Sequence, residues 1–196
     1  LQKPYVSEAG EQMKVLCCAI DSGGHHTQEV YQYSRERAAM GVIAIKGMSQ
    51  KGKPPLGKAS KVDVDYKGRA LKKGAQLFPV GVDTVKSLLF GRLKHNEPGP
   101  GYLHFFPTIG VDYLEELTAE KQILRFRNGY PERVWVKKSQ SPNEALDEMN
   151  YAYAALHRLY QKMDRRTIWD QLERREEKPK QSARRAAPQR SFVKQW

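Results

Sequence analysis

Three observations predict an α/β fold for this chain. An apolar run over residues 13–21 (MKVLCCAID) stops at an acid and the glycine turn Ser22-Gly23-Gly24, as a buried strand does. A helical stretch and a second apolar run, 42–46 (VIAIK), follow with short connections, the pattern that sets two parallel strands side by side. Residues 143–163 carry the longest helical pattern, with small residues (Ala145, Ala152, Ala155) beside Leu146, Met149, Leu156 and Leu159. Such a stripe lets a helix approach a sheet closely.

The elements follow in order. Thr27 is placed to cap a helix over 27–40 whose Val30, Tyr31, Ser34 and Ala38 share one side, and Gly41 ends it. Residues 51–75 read as a basic loop with a short hairpin around 62–71 (VDVDYKGRAL). A weaker strand over 75–82 contains Pro79, which cannot donate to a ladder. Asp83 is placed to cap a helix over 84–93, and a loop with two prolines and two glycines follows at 94–101. Residues 102–106 (YLHFF) read as a short strand that packs His104 in or beside the sheet. Residues 113–126 read as a helix offering Leu114, Leu117, Ile123 and Leu124, and 133–138 alternate like a strand. Periodicity fades near Arg165, so 1–164 is expected to be one domain and 165–196 a disordered basic tail.

The net charge of +12 is concentrated. Residues 51–75 hold eight Lys/Arg against two acids, and 165–196 hold ten against four, while 1–50 and 76–164 balance. Basic segments of this kind suit a phosphate backbone. Lys51, Lys53, Lys58, Lys61, Arg69, Lys72 and Lys73, with Lys46 just before them, are the candidate nucleic-acid contacts, the alternative being a solubilising loop and a disordered end. Cys17 and Cys18 are adjacent, which a strand would point to opposite faces, so neither a disulfide framework nor a zinc site is expected. That usage suggests a reducing, intracellular setting, and no apolar stretch is long enough to span a bilayer. The chain starts at Leu1 rather than Met, so a piece of a longer protein is expected.

One motif is a decoy. Residues 47–53 hold Gly47, four residues and then Gly52-Lys53, most of a phosphate-binding loop, directly after a strand. The Ser/Thr position that would reach Mg²⁺ is Pro54, and Pro55 keeps Pro54 out of the helical region. A nucleotide-driven motor is excluded for this segment.

Two acids stand out by position. Asp21 ends the most apolar strand, where open α/β sheets place ligands. Asp147 lies one turn into the last helix with Glu144 three residues earlier on the same face. Carboxylates on a strand end and a packed helix can hold Mg²⁺ or Mn²⁺ for phosphodiester hydrolysis. Asp21 is equally suited to cap its turn, and Asp147 and Glu144 to offset the helix dipole. His25 and His26 read as loop histidines, and Ser22 lacks a base to make it a nucleophile.

The segments AIDSGGHHTQEVYQYSRER, GVIAIKG, GYLHFFP, LTAEKQI and NEALDEMNYAYAAL, in this order, resemble the nuclease domain of lambda-type (GpA family) bacteriophage terminase large subunits from about Gly10 to Leu159. The resemblance implies a ribonuclease-H-like mixed sheet flanked by helices and metal-dependent cleavage of double-stranded DNA during genome packaging in the bacterial cytoplasm. Asp21, Glu144 and Asp147 match the family's acids, with Asp147 ranked above Glu144 and Mg²⁺ or Mn²⁺ held by Asp21 and Asp147. Asn143 would position the helix start, and Lys46 and Gly47 would lie near the substrate edge. Implied partners are the terminase small subunit and the portal of the procapsid, with the closing SFVKQW a candidate docking peptide. The family's domain opens with further strands, the first carrying another metal-binding aspartate. No Asp precedes Asp21 here, so the resemblance implies a domain lacking its N-terminal part. The alternative is a non-catalytic DNA-binding or assembly module with an incomplete metal site.

Overall fold

The computed structural model describes residues 3–7, 10, 12–138, 140–164 and 166–170. The chain divides into a compact unit over Leu1–Lys162 and a second over Met163–Trp196. Of the second, the described residues are a turn leading into the first helical positions at 168–170. The expectations for the rest of 165–196, SFVKQW included, lie outside the described residues.

The first unit is built on a mixed four-stranded sheet. The strands are β3 (Cys18–Asp21), β4 (Val42–Met48), β6 (Arg69–Gly81) and β5 (Ser60–Tyr66), in that spatial order. β3, β4 and β6 are parallel, and β5 returns antiparallel on β6. A short pair, β1 (Tyr5–Val6) and β2 (Gln12–Met13), precedes them. The helices are α1 (Thr27–Glu36), α2 (Val82–Arg92), α3 (Val111–Leu117) and α4 (Glu144–Lys162).

β4 is apolar without alternation because both of its faces are covered, as parallel strands require. Ile43 and Ile45 join Phe78, Val80, Leu56 and Ala154 in one cluster, while Ala44 joins Tyr31, Val64 and Ala75 in another. α4 therefore closes one face and α1 the other. A third cluster ties α2, α3 and α4 together through Leu117, Ala145, Leu146, Phe90 and Met149. The predicted mixed sheet flanked by helices is thus present.

The basic segment is more ordered than a loop. β5 and β6 form a hairpin whose turn residues Lys67 and Gly68 both have positive φ, the backbone of a turn matched to strand twist. Pro79 is tolerated because β5 ends at the Ser60–Leu77 pair, and its carbonyl accepts the Gly57 N–H at 2.8 Å. The decoy loop lies against the start of α2. Pro54 O accepts the Gly81 N–H at 3.1 Å and Lys53 O accepts the Thr84 hydroxyl at 2.7 Å. This segment turns carbonyls inward, where a phosphate cradle needs N–H donors.

Several expectations are corrected. Residues 102–106 form no strand, and His104 is exposed, edge-on to Tyr102. The helix expected over 113–126 stops at Leu117, where the Thr118 hydroxyl turns back to Leu114 O. The chain then enters β7 (Glu120–Arg127), paired antiparallel with β8 (Tyr130–Lys137). Asn128 and Gly129, both at positive φ, make the turn, and an Asn-Gly pair is the strongest short hairpin signal. Thr27 does not cap α1: its hydroxyl donates to Ser22 O and Gly24 O. Asp83 lies inside the first turn of α2, where it makes no cap bond. Ala38 and Ala152 are exposed, the small-residue contacts falling on Ala145, Ala154 and Ala155. Gly41 ends the first helical stretch as expected, at φ 86° in a left-handed cap.

Candidate active site and nucleic-acid interface

Asp21 sits at the carboxyl end of β3 because β3 stops there. The next residue, Ser22, turns its hydroxyl and its N–H onto the Ile45 carbonyl, at 2.8 and 2.9 Å. The Asp21 side chain does cap the turn: Oδ1 accepts the Gly23 N–H at 3.0 Å. It does more than that, since Oδ2 accepts the Tyr151 hydroxyl at 3.3 Å. Tyr151 comes from α4, four residues beyond Asp147.

That bond sets Asp21 against the helix that carries Glu144 and Asp147. Burial lifts the Tyr151 hydroxyl far above its ordinary pKa, and the negative charges of Asp21, Asp147 and Glu144 raise it further. Gly47, at the end of β4, leaves room for it: a Cβ there would lie 3.4 Å from the hydroxyl.

Asp147 is half-buried, and burial raises its pKa. Lys86 pulls the value down, while Glu120 and Glu144 push it up. A buried relay explains this. Lys86 Nζ donates to both oxygens of Glu120, at 2.7 and 2.8 Å. Asn143 Nδ2 donates to Glu120 Oε1 at 3.1 Å and to Asp147 Oδ2 at 3.2 Å. Asn143 O also accepts the Leu146 and Asp147 N–H groups that open α4, so one residue starts the helix and aims its acid.

Sequence reasoning missed Tyr151, Lys86 and Glu120. Tyr151 had a signal, because Glu144, Asp147 and Tyr151 fall at i, i+3 and i+7 on one helical face. Lys86 and Glu120 had none: Glu120 was read into a helix, and the burial of a lone lysine is a tertiary fact. His25 and His26 are exposed on the turn, His26 lying 3.7 Å from Glu29. Among the described residues no three His, Cys, Asp or Glu side chains are gathered to hold one metal ion. No described helix is long and apolar enough to cross a membrane.

All eight candidate DNA-contacting cations, from Lys46 to Lys73, are exposed. Lys61, Arg69, Lys72 and Lys73 ride on the β5–β6 hairpin, and Lys46 follows the β4 partner of Asp21. Lys51 is engaged by Glu132 at 3.0 Å.

The family model for the terminase large subunit gpA endonuclease domain matches residues 1–182. A terminase large subunit of Escherichia phage lambda is 33% identical over 163 residues, covering 80% of this chain and 24% of the relative. One of Enterobacteria phage P21 is 30% identical over 165 residues, with the same coverage. The chain thus spans about a quarter of the length of these relatives. No solved structure matches it. With the family model matching nearly the whole chain, this chain belongs to the terminase large subunit gpA endonuclease domain family.

Proposed function

We propose that this chain is a metal-dependent endonuclease domain that cleaves double-stranded DNA during phage genome packaging. The single observation that carries the reading is the 3.3 Å Tyr151–Asp21 bond, which sets the acid at the end of β3 against the helix that carries Glu144 and Asp147. The assignment within it is Asp21 and Asp147 as metal-holding acids, with Glu144 as a further catalytic carboxylate. On this reading the sheet is the ribonuclease-H-like core of a domain over 1–164, with 165–196 a tail.

The donor set fits a hard divalent cation in kind. Every candidate ligand is a carboxylate oxygen; burial chiefly raises the Asp147 pKa, Glu120 and Glu144 add to it, and a cation would favour the charged form that they disfavour. Two carboxylates suffice for Mg²⁺, which keeps several waters and takes its remaining ligands from substrate phosphates. Asp21 and Asp147 would hold one or two Mg²⁺ or Mn²⁺ ions, the two-metal arrangement being the one that would stabilise charge on both the attacking and the leaving oxygen of phosphodiester hydrolysis. The chain's own residues prepare that site. Asn143, fixed by Glu120 and Lys86, orients the Asp147 carboxylate. Tyr151 holds Asp21 Oδ2. The exposed lysines of the β5–β6 hairpin and the loop before it bind the duplex backbone, and that binding weakens as salt rises. The terminase small subunit and the procapsid portal are the partners of this reading, and the bacterial cytoplasm its location.

A second reading, a DNA-binding module without catalysis, is favoured by the absence of three gathered ligands among the described residues. Nicking of supercoiled plasmid with Mg²⁺, Mn²⁺ or EDTA separates the two. Metal-dependent nicking lost in both Asp21→Ala and Asp147→Ala is expected. DNA binding without any nicking, by a parent chain shown to be folded, selects the second reading.

A further inference from the structure

We propose that the β7–β8 ribbon is a DNA-binding arm that enters the major groove of the duplex held at the acidic site; this rests on the nuclease reading above. The ribbon pairs with no other strand among the described residues. Its base is anchored, with Trp135 against Phe90 (ring centroids 4.8 Å apart) and Glu120 bonded to Lys86. Its end touches the 49–51 segment through Glu132 on one edge and exposes large apolar side chains elsewhere: Leu124 is 58% exposed, Phe126 73% and Tyr130 77%. Large apolar groups left in water on a two-stranded hairpin mark a contact surface.

Charge identifies the partner. Residues 121–138 hold six Lys/Arg and one acid, Glu132, and Glu132 is already paired with Lys51 at 3.0 Å. That pair also joins the ribbon to the basic 51–75 segment. Arg125, Arg127 and Arg133 are exposed among the four pairs nearest the turn. At about 3.4 Å per residue those four pairs extend roughly 13 Å, against a major groove about 8.5 Å deep and wide enough for a two-stranded ribbon. Arginine can reach guanine edges and phosphates there, and an apolar tip can meet thymine methyls. The ribbon starts at Glu120, which reaches Asp147 through Asn143, so a duplex resting on the acids passes beside the arm.

The test is fluorescence anisotropy of a short duplex, without divalent metal, over a range of NaCl concentrations, with dimethyl sulfate protection of guanine N7. The parent chain is compared with Arg125→Ala/Arg127→Ala/Phe126→Ala and with Phe126→Ala alone, each checked for folding by circular dichroism. All three positions are exposed, so the fold survives their truncation. The triple variant is expected to bind about tenfold more weakly, with a salt slope smaller by about two and major-groove protection lost. Phe126→Ala alone is expected to weaken binding without changing the slope. Unchanged affinity and slope in the triple variant, or protection that persists in it, overturns the arm and leaves the ribbon a protein contact. Plasmid nicking by Asp21→Ala reports on the nuclease reading separately: that variant is expected to bind and protect DNA as the parent does. If it also nicks as the parent does, the acidic site is misassigned while the arm stands.

Discussion

The Lys86–Glu120 pair is the most consequential contact to break. The two side chains are only 11% and 8% exposed, and Nζ sits 2.7 Å from Oε1. Lys86→Met keeps the stem's bulk and removes the ammonium, leaving Glu120 charged away from water. Removing one partner of a buried pair costs about 3–5 kcal/mol. The lower end, about 3 kcal/mol, applies because Asn143 still donates to Glu120. Adding Glu120→Leu removes the stranded charge, and replacing both partners by apolar residues returns stability to within about 1–2 kcal/mol of the parent. The single and double variants should therefore be strongly non-additive, with a coupling of at least about 2 kcal/mol. Urea unfolding followed by circular dichroism reads this, provided the m-value is unchanged. A loss under about 1 kcal/mol in Lys86→Met, or a double variant equal to the sum of its singles, would refute the claim that a dry ion pair anchors the site.

Three further predictions follow from named contacts. Gly41 is at φ 86° and a Cβ there would collide with the Leu16 carbonyl oxygen, so Gly41→Ala should destabilise by about 3 kcal/mol in the same assay; a neutral substitution would mean the turn into β4 is wrong. The folded-state pKa of Asp147 is raised, chiefly by burial. Its contribution to stability is therefore present below the ordinary carboxylate pKa and lost as pH rises through the folded value. In EDTA, Asp147→Asn should be more stable than the parent at neutral pH, with the difference vanishing as the pH falls below the carboxylate range; urea midpoints across pH check the sign. Tyr151→Phe removes one neutral donor from Asp21 and should change stability by no more than about 1 kcal/mol, and a larger loss would show that the hydroxyl holds β3 to α4.

The sheet was legible because its signals are local. The unbroken apolar run of β4 and the glycines flanking α1 follow from what each residue tolerates, and α4 announces itself by length and spacing. The segment 113–126 was misread because Leu114, Leu117, Ile123 and Leu124 satisfy helical spacing on paper. What decides it is the Asn128-Gly129 turn beyond, which brings Tyr130–Lys137 back as a partner strand. A strand's partner outweighs its own periodicity. Residues 102–106 fail for the converse reason: they are rich in aromatic residues, but no strand among the described residues pairs with them.

The site divides along the same line. Asp21 and Asp147 could be picked out because a strand end and a helix start are places where a carboxylate is presented, and that placement survives without knowing the neighbours. What makes Asp147 unusual is tertiary: Lys86 and Glu120 arrive from α2 and β7, elements that neither flank α4 in sequence nor declare their burial. Charge shows the point most clearly. Residues 76–164 balance at eleven against eleven, which suggests a neutral globule. Yet four of the eleven acids, Glu116, Glu120, Glu144 and Asp147, lie around the start of α4, where Glu116 accepts the Ala145 N–H, while six of the eleven cations lie in 121–138, on and just after the ribbon. A sum of zero hides two opposite fields. On the proposed nuclease reading, that separation would place a cation-holding site beside a surface that attracts phosphates.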